Sequence, residues 1–523
     1  MKDAGDAVSS IGGAYTAKYG YLMAQGEVMT AKSDFYEFRE NGSRGFAVLS
    51  GRDSISFEEI EKRTFKLAHI LRTLGIDEGV RAGMFLGNGP EFVTSLLALS
   101  KNKSSAVLFS TYFKPRELQD YFERTHVRFL ISDEKHANAV QSLPLEKVLV
   151  HAEDGFSWGG LQIWRMNNPG EDGASAAGDN WLDKEFVLKF TSGVNGKSKI
   201  VPKTYGNVAD EVMNFSRTIS LGGNDVVICP APLFHSYGLI DGFLSSFHSG
   251  AKLVLMDKFI PNDFITLVEK TKATIFIGVP FMYQLLCLTY LNRAPDFSSL
   301  RYCFSAGAKI SEETANNYEA RFGRRINQLY GSTETGVISV NLYKDGFSDV
   351  NSAGQPVEGR VIEVVDEEGN EVKRGTAGEI KVKSEGAAKG YLDHDEPGHK
   401  AFSNGWYHTN DIGYLSDDGN LYVTGRKSAF INVAGLKVDP FEVEKVLMLH
   451  DAVSECAVVG VAEPHCGEAV QAYVVAIGKP APMEIILFCK ERLADYKVPQ
   501  NIRFVDELPK SPTGKILRKY LAG

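Results

Sequence analysis

Three short polar stretches and one lysine hold most of the chemistry this chain could perform. Thr191-Ser-Gly-Val-Asn-Gly-Lys-Ser-Lys199 is glycine-rich and basic. Glycines let backbone N–H groups turn inward, hydroxyls add donors and lysines add charge, a composition suited to a loop closing round phosphate oxygens. Gly196-Lys197-Ser198 imitates the end of a Walker A loop, but that pattern needs a glycine where this chain has Thr191, so a Walker-type kinase or GTPase fits poorly. A solvated surface turn has the same composition and stays open on these nine residues alone. In Tyr330-Gly-Ser-Thr-Glu-Thr-Gly336, Glu334 could coordinate Mg2+, Thr333 could donate to a phosphate and Tyr330 could offer a flat face to a purine; Ser/Thr-Glu after a turn is also a helix start. Asp411 sits in Thr409-Asn-Asp-Ile-Gly413, which reads equally as a turn. Lys510, Lys515, Arg518 and Lys519 crowd four cations into ten residues, either a solvated tail or a charged site.

The elements that must position these groups follow from periodicity. Phe186-Val-Leu-Lys-Phe190 reads as the strand delivering the first loop. Gly45–Ser50 and Ser54–Phe57 read as a strand and its hairpin partner. Ile60, Thr64, Leu67, Ala68 and Leu71 then fall at helical spacing, with Gly75 as the stop. Strands at Arg81–Leu86, Ser105–Phe109 and Val127–Ile131 alternate with helices at Phe92–Leu99 and Pro115–Thr125, a βαβ rhythm that implies an open, largely parallel α/β sheet. Residues 151–180, rich in Gly, Asn and Ser, read as a connection. More strands are expected at Asp225–Cys229, Lys252–Leu255, Thr274–Ile277 and Arg301–Ser305. After about Gly359 short strands at Val361–Val365, Gly378–Val382 and Gly419–Val423, separated by tight turns, spell a β-meander. The last hundred residues, with a helix at Pro440–Leu449 and a strand at Glu455–Val461, form a separate small domain.

At 523 residues the chain exceeds one compact core, and two to four domains or subdomains are expected. With 43% hydrophobic and 24% charged residues it reads as an ordinary globular protein, and its net charge of -9 argues against a general nucleic-acid binder. Its six cysteines show no C-x-x-C pair, which favours reduced thiols over a disulfide framework or a zinc site. The first twenty residues carry charges and glycines without a signal-type apolar core, and no run of eighteen apolar residues occurs. A cytoplasmic enzyme without a membrane span is the expectation.

In order, Thr191–Lys199, Pro232-Leu-Phe-His-Ser-Tyr-Gly238, Tyr330–Gly336, Tyr407-His-Thr-Asn-Asp411, Gly425-Arg426 and Pro509-Lys-Ser-Pro-Thr-Gly-Lys-Ile516 resemble the motifs of the adenylate-forming ANL superfamily: acyl- and aryl-CoA synthetases, luciferases of the firefly type and peptide-synthetase adenylation domains. The resemblance runs from about residue 50 to the end. It implies an α/β fold with a large N-terminal domain, residues 1–425, made of α/β sheets with a β-meander or barrel subdomain at about 350–425. A small mobile α+β domain, residues 426–523, follows and carries a catalytic lysine.

The resemblance also implies a reaction and its parts. A carboxylate attacks the α-phosphate of ATP, pyrophosphate leaves, and the acyl group passes to a thiol, chemistry that needs charge stabilisation more than proton shuttling. Thr191, Ser192, Gly193, Gly196 and Lys199 resemble the loop holding the outer phosphates. Thr333 would meet the α-phosphate, Glu334 the Mg2+, and Tyr330, with Gly331 and Ser332 beside it, the adenine. Asp411 would accept both ribose hydroxyls with help from Arg426, and Gly307-Ala308 would let adenine and acyl chain approach the backbone. Lys515 would neutralise the repulsion between carboxylate and α-phosphate, and its domain would then rotate about Ser428, where an Asp or Lys is more usual.

For the acid, His235 in His-x-x-Gly matches the CoA ligases and is grouped with Lys515, Thr333 and Glu334 as catalytic; no Asp stands nearby to hold an amino-acid ammonium. Phe234, Tyr237, Val279, Phe281 and Val337 would line the acyl pocket, although Val279 and Phe281 also read as plain core. Aryl and medium aliphatic acids stay open. Gly435-Leu436 and Gly467-Glu468 resemble the segments beside the pantetheine tunnel, while Asn432 replaces a common lysine and Cys466 reads as incidental. The implied partners are a small carboxylic acid, ATP, Mg2+ and CoA. An acyl-AMP ligase loading an acyl carrier protein is the alternative, disfavoured because no insertion typical of fatty acyl-AMP ligases interrupts the large domain. A catalytically impaired nucleotide- or acyl-binding protein is the alternative of another class. It is motivated by Val194, Asn195 and Ser198 in the phosphate loop, where hydroxyls and a proline are usual, and by Asn432.

Overall fold

A computed structural model describes residues 47–50, 53–141, 143–148, 160–167, 180–191, 199–343, 349–393, 401–427, 431–433, 436–463, 467–493, 495–511, 514 and 516–521. β1 (Ala47–Ser50) and β2 (Asp53–Ser56) form the expected hairpin. Ser56 caps α1 (Phe57–Thr73), its Oγ accepting the Glu59 N–H at 3.4 Å. The buried face of α1 is Ile60, Thr64, Leu67, Ala68 and Leu71, the five residues picked out by helical spacing. Each fully buried leucine there contributes roughly 1.5–3 kcal/mol.

β3 (Arg81–Phe85), α2 (Pro90–Lys101), β4 (Ser105–Leu108), α3 (Pro115–Thr125) and β5 (Phe129–Ser132) keep the rhythm. Both helices begin on proline, which lacks only an N–H that the first turn cannot use. α4 (Glu134–Val140) and β6 (Leu145–Val148) lead to β7 (Gln162–Met166), a strand inside the stretch expected to be a connection. β7 pairs antiparallel with β5 and buries only Ile163 and Trp164, too short an apolar signal to stand out among its Gly, Asn and Ser neighbours.

β8 (Glu185–Thr191) and β9 (Lys199–Thr204) flank the phosphate-loop candidate, and Thr204 caps α5 (Tyr205–Thr218) in a capping box with Asn207. β10 (Val226–Cys229), a π-helix over Tyr237–Leu244, α6 (Ser245–Ser249), β11 (Lys252–Leu255), α7 (Pro261–Thr271), β12 (Ile275–Gly278), α8 (Pro280–Leu288), β13 (Tyr302–Ser305), α9 (Glu312–Phe322) and β14 (Ile326–Ser332) follow. The chain then turns to β15 (Gly336–Val340), β16 (Gln355–Pro356), β17 (Val361–Val365), β18 (Gly378–Lys383), β19 (Phe402–Ser403), β20 (Trp406–Leu415) and β21 (Leu421–Arg426). It ends with β22 (Ile431–Val433), β23 (Leu436–Val438), α10 (Pro440–Leu447), β24 (Val453–Glu463), β25 (Gly467–Ala476), α11 (Pro482–Lys490) and β26 (Asn501–Phe504).

The described residues divide into two units. The first takes in those up to Lys189, Pro202–Asp225 and Leu239–Leu255. It holds a seven-stranded sheet, order β6-β7-β5-β3-β4-β8-β9, parallel from β5 through β3 and β4 to β8, and β1 between β2 and β11. Two buried ion pairs stake the strands that flank residues 192–198. Arg81 grips Glu185 on β8 through two hydrogen bonds of 2.8 Å, and Lys203 on β9 meets Glu211 at 2.5 Å. Removing one partner from such a pair strands a charge and costs about 3–5 kcal/mol.

The second unit takes in Phe190–Val201, Val226–Gly238 and the described residues from Met256 onward. Its strands β16-β15-β14-β13-β12-β10 lie side by side, parallel from β10 to β14 and antiparallel beyond. The meander follows, order β17-β18-β20-β19 with β21 on β20. A separate sheet, β23-β22-β25-β24 with β26 on β25, packs with α10 and α11 around Val438, Val443, Leu447, Val458 and Ile485.

Candidate active site

β14 and β15 form a hairpin, with a register shift at Tyr330/Gly331 and Ser332 opposite Gly336. Thr333–Thr335 are therefore its turn, not the start of a helix. Ser332 Oγ closes the turn by accepting the Thr335 N–H at 3.2 Å. Glu334 is buried: its Oε1 accepts the Tyr391 hydroxyl at 2.8 Å, and its carbonyl accepts the Ala388 N–H at 2.8 Å. Tyr407 hydrogen-bonds Tyr391 in turn. Burial, then the Glu334 carboxylate, pushes both phenols well above the ordinary tyrosine range, so both remain protonated donors.

Asp411 stands on β20 opposite Arg426 on β21. Asn410, in the left-handed region at φ 58°, and a register shift at Ile412/Gly413 bend the strand here, and Asn tolerates that conformation. Asp411 Oδ1 accepts from Arg426 Nε at 2.7 Å and Oδ2 from the Tyr330 hydroxyl at 2.6 Å. Burial, reinforced by Asp411, lifts Tyr330 well above its usual pKa. For Arg426 burial acts downward, and Asp411 outweighs it and raises the guanidinium. The sequence separates Tyr330 from Asp411 by 81 positions; the fold makes them one constellation.

Of the phosphate-loop candidates, Thr191 ends β8 and Lys199 begins β9, while Ser192, Gly193 and Gly196, with Val194, Asn195 and Ser198, lie outside the described residues. Lys199 Nζ sits 4.4 Å from the centre of the Tyr391 ring. The next residue of each segment adds a clamp, Leu392 N–H to Ile200 carbonyl at 2.9 Å. Tyr391 thus touches both the lysine and the acidic residue that sequence reasoning singled out, and that reasoning missed it. Its signal is slight: one of 21 tyrosines, in a loop after Gly390.

Around the acyl-pocket candidates, Gly238 approaches Pro232 so closely that a Cβ would lie 2.4 Å from the Pro232 oxygen, which explains the glycine of His-x-x-Gly. His235 Nε2 and Ser236 Oγ are buried with no hydrogen-bond partner among the described residues. Burial lowers the imidazole to about 4, so His235 is neutral at pH 7. Phe234 packs on the His235 ring with centroids 4.7 Å apart. Tyr237 opens the π-helix. Val279 and Val337 are buried, Phe281 is half-buried, and Gly307 and Ala308 are exposed.

Lys515, Ser428, Gly435 and Cys466 lie outside the described residues; Leu436 begins β23, Asn432 lies within β22, and Gly467-Glu468 opens β25. Of the C-terminal cations, Lys510 and Arg518 are not part of a frayed tail. Lys510 pairs with Glu455 at 2.7 Å, Arg518 with Glu444 at 2.6 Å, and the backbone of Lys510 pairs with that of Ile516 in an isolated antiparallel bridge. Gly514, at φ 77°, lies against Phe281, where a Cβ would fall 2.7 Å from Phe281 Cδ1. The neighbour of Lys515 is thereby set beside the α8 start. Lys427, next to Ser428, is tied to the buried Glu379 at 2.7 Å.

Every candidate residue within the described set falls in the second unit. The family model described as AMP-binding enzyme matches residues 38–392, and that for the AMP-binding enzyme C-terminal domain matches 442–515. This chain belongs to the adenylate-forming AMP-binding enzymes. A 2-succinylbenzoate–CoA ligase of Bacillus cereus is 30% identical over 477 residues, 91% of this chain and 94% of that protein. A probable CoA ligase of Humulus lupulus is 28% identical over 493 residues, 92% of this chain and 94% of its own length. An anthranilate CoA ligase solved with anthranoyl-AMP superposes with a TM-score of 0.78 at 27% identity, covering 94% of this chain and 96% of that one. The enzyme is accordingly an AMP-forming acid–thiol ligase with the α/β fold of that superfamily, a large N-terminal domain and a smaller C-terminal one. No described helix is long and apolar enough to cross a membrane.

The donors fit a magnesium nucleotide. Each Asp411 oxygen has accepted one hydrogen bond and has a second acceptor position for a hydroxyl of a vicinal diol. Glu334 offers the hard oxygen that Mg2+ prefers.

Proposed function

We propose that this enzyme joins a small carboxylic acid to CoA through an acyl-adenylate. The observation that carries the reading is the constellation of Tyr330, Asp411 and Arg426 beside the Glu334 turn, with Gly514 seated on Phe281. Asp411 and Arg426 hold the ribose, the Tyr330 ring flanks the adenine, and Thr333 donates to the α-phosphate. Ser192, Gly193, Gly196 and Lys199 hold the outer phosphates. Glu334 holds Mg2+, which supplies charge neutralisation along the triphosphate. The acid enters near Phe234, His235, Tyr237, Val279, Phe281, Gly307 and Val337. Its carboxylate oxygen attacks the α-phosphorus, the bond to the β-phosphate oxygen breaks, and pyrophosphate leaves. Lys515, delivered next to Gly514, offsets the repulsion between the two anions.

In the second step the residues of the small domain beyond Ser428 turn about it, removing Lys515 and bringing Gly435-Leu436 and Gly467-Glu468 beside the pantetheine thiol. The sulfur attacks the acyl carbon and AMP departs. The residues named for the acid are neutral and largely apolar, His235 included, which favours aryl and medium aliphatic acids over amino acids.

Incubation with ATP, Mg2+ and a panel of carboxylic acids, with and without CoA, read by mass, tests the reaction. Thioester with CoA is expected; adenylate without thioester would transfer the second step to a carrier-protein thiol, and neither product across the panel would leave a nucleotide- or acyl-binding protein. Lys515→Ala should cut adenylate formation by about a thousandfold while ATP binding stays within a few-fold, since the ammonium acts mainly on the transition state. Unchanged adenylation would remove Lys515 from its role.

A further inference from the structure

The Tyr391 side chain lies between two groups of opposite charge that the reaction needs together. Its ring lies under Lys199, 4.4 Å from Nζ to centroid, and its hydroxyl donates to Glu334 Oε1 at 2.8 Å. The backbone on either side repeats the link. Ala388 N–H reaches the Glu334 carbonyl and Leu392 N–H reaches the Ile200 carbonyl, so residues 388–392 are stitched to the hairpin turn at one end and to β9 at the other. Val201, Ala388, Ala401 and Tyr407 pack round the ring in one apolar cluster. This packing fixes the phenol, and Tyr407 hydrogen-bonds its hydroxyl.

A lysine and a glutamate that serve one phosphate chain attract each other, and an ion pair between them would withdraw both from it. The aromatic ring prevents that, because its face attracts the ammonium while its edge hydroxyl satisfies the carboxylate. We propose that Tyr391 is a positioning residue that holds Lys199 and Glu334 apart and aims both at the nucleotide, one at the outer phosphates and one at the divalent cation. This rests on the reading of Glu334 as the Mg2+ ligand.

Two variants separate the two contacts. Tyr391→Phe keeps the ring under Lys199 and loses only the hydrogen bond to Glu334; Tyr391→Leu loses both. A lost hydrogen bond to a charged group corresponds to roughly tenfold in an equilibrium. For Tyr391→Phe the Mn2+ concentration that half-saturates the enzyme–ATP complex, read by electron paramagnetic resonance, should rise about tenfold, while metal-free binding of a fluorescent ATP analogue is unchanged. For Tyr391→Leu the metal-free affinity should fall as well, by about threefold to tenfold. Glu334→Gln is measured alongside. A normal metal requirement in Glu334→Gln would overturn the reading of Glu334 itself. A shifted one there, with Tyr391→Phe within twofold of the parent, would overturn the proposal for Tyr391. A metal shift in Tyr391→Phe matched by an equal loss of metal-free affinity would also overturn it, since general loosening moves both.

Discussion

The proposed ribose end and the proposed acyl end of the second unit satisfy their polar groups in opposite ways. At the ribose end both Asp411 oxygens have partners, Arg426 and Tyr330, and the carboxylate is aimed before any nucleotide arrives. At the acyl end His235 Nε2 and Ser236 Oγ are buried without partners among the described residues. The first arrangement is preorganised for one invariant ligand part. The second leaves buried polar atoms that a substrate or water would have to meet, which on the proposed reading bears on which acid is accepted. Nucleotide recognition is common to the adenylate-forming family, whereas the acid differs among its members, and the contrast in satisfaction follows that division.

The contrast can be broken most severely by acid. His235 has a folded pKa of about 4 against 6.5 as an ordinary histidine, so between those values the unfolded chain binds a proton that the folded chain refuses. The stabilising contribution is complete above pH 6.5 and declines as pH falls toward 4, by about 3 kcal/mol in all. His248, in the first unit, is lowered to about 4 by burial and then by Arg217, and acts over the same window. Urea titrations from pH 7 to 4.5 should show a steep loss of stability, and His235→Leu should remove roughly half of the slope. An unchanged slope would mean His235 is not buried as neutral imidazole.

Asp411→Asn should follow, with ATP and AMP binding weaker by about a hundredfold, because Arg426 loses its charged partner and the diol one of its two acceptor oxygens. Equilibrium dialysis would read it; a change below threefold would dissolve the idea of a preorganised ribose end. At pH 7 His235→Leu should leave ATP affinity unmoved and alter the relative kcat/KM for apolar over polar-substituted acids by about tenfold, with stability changed by no more than about 1 kcal/mol. The smallest effect is expected in the phosphate loop: Val194→Ser with Asn195→Ser should lower the ATP KM by about twofold to threefold through added donors. No change in KM or kcat would show those departures to be neutral.

Much of this was legible in the amino-acid order. α1 buries the five residues its spacing selects, α3 begins at Pro115 and ends at Thr125 as read, and β10 to β13 fall within a residue or two of their apolar runs. β7 was hidden because its burial depends on β5 more than on its own pattern. The Tyr330–Gly336 motif was found as chemistry but left open between helix start and turn, a choice settled by the β15 strand pairing behind it. Tyr391 has only a slight local signal, a tyrosine after Gly390. Its partners lie 57 positions upstream at Glu334 and farther still at Lys199, so only tertiary packing could reveal it.

The Lys427–Glu379 ion pair bears on what happens between the two half-reactions. It bolts the chain to the meander one residue before Ser428, and the Asp411–Arg426 pair lies on the same, stationary side of that bolt. If the last hundred residues swing about Ser428, the swing takes away Lys515 and leaves the grip on the adenylate's ribose untouched. The activated acid would then stay moored while its surroundings are exchanged, protected from escape during the interval in which it is most open to hydrolysis.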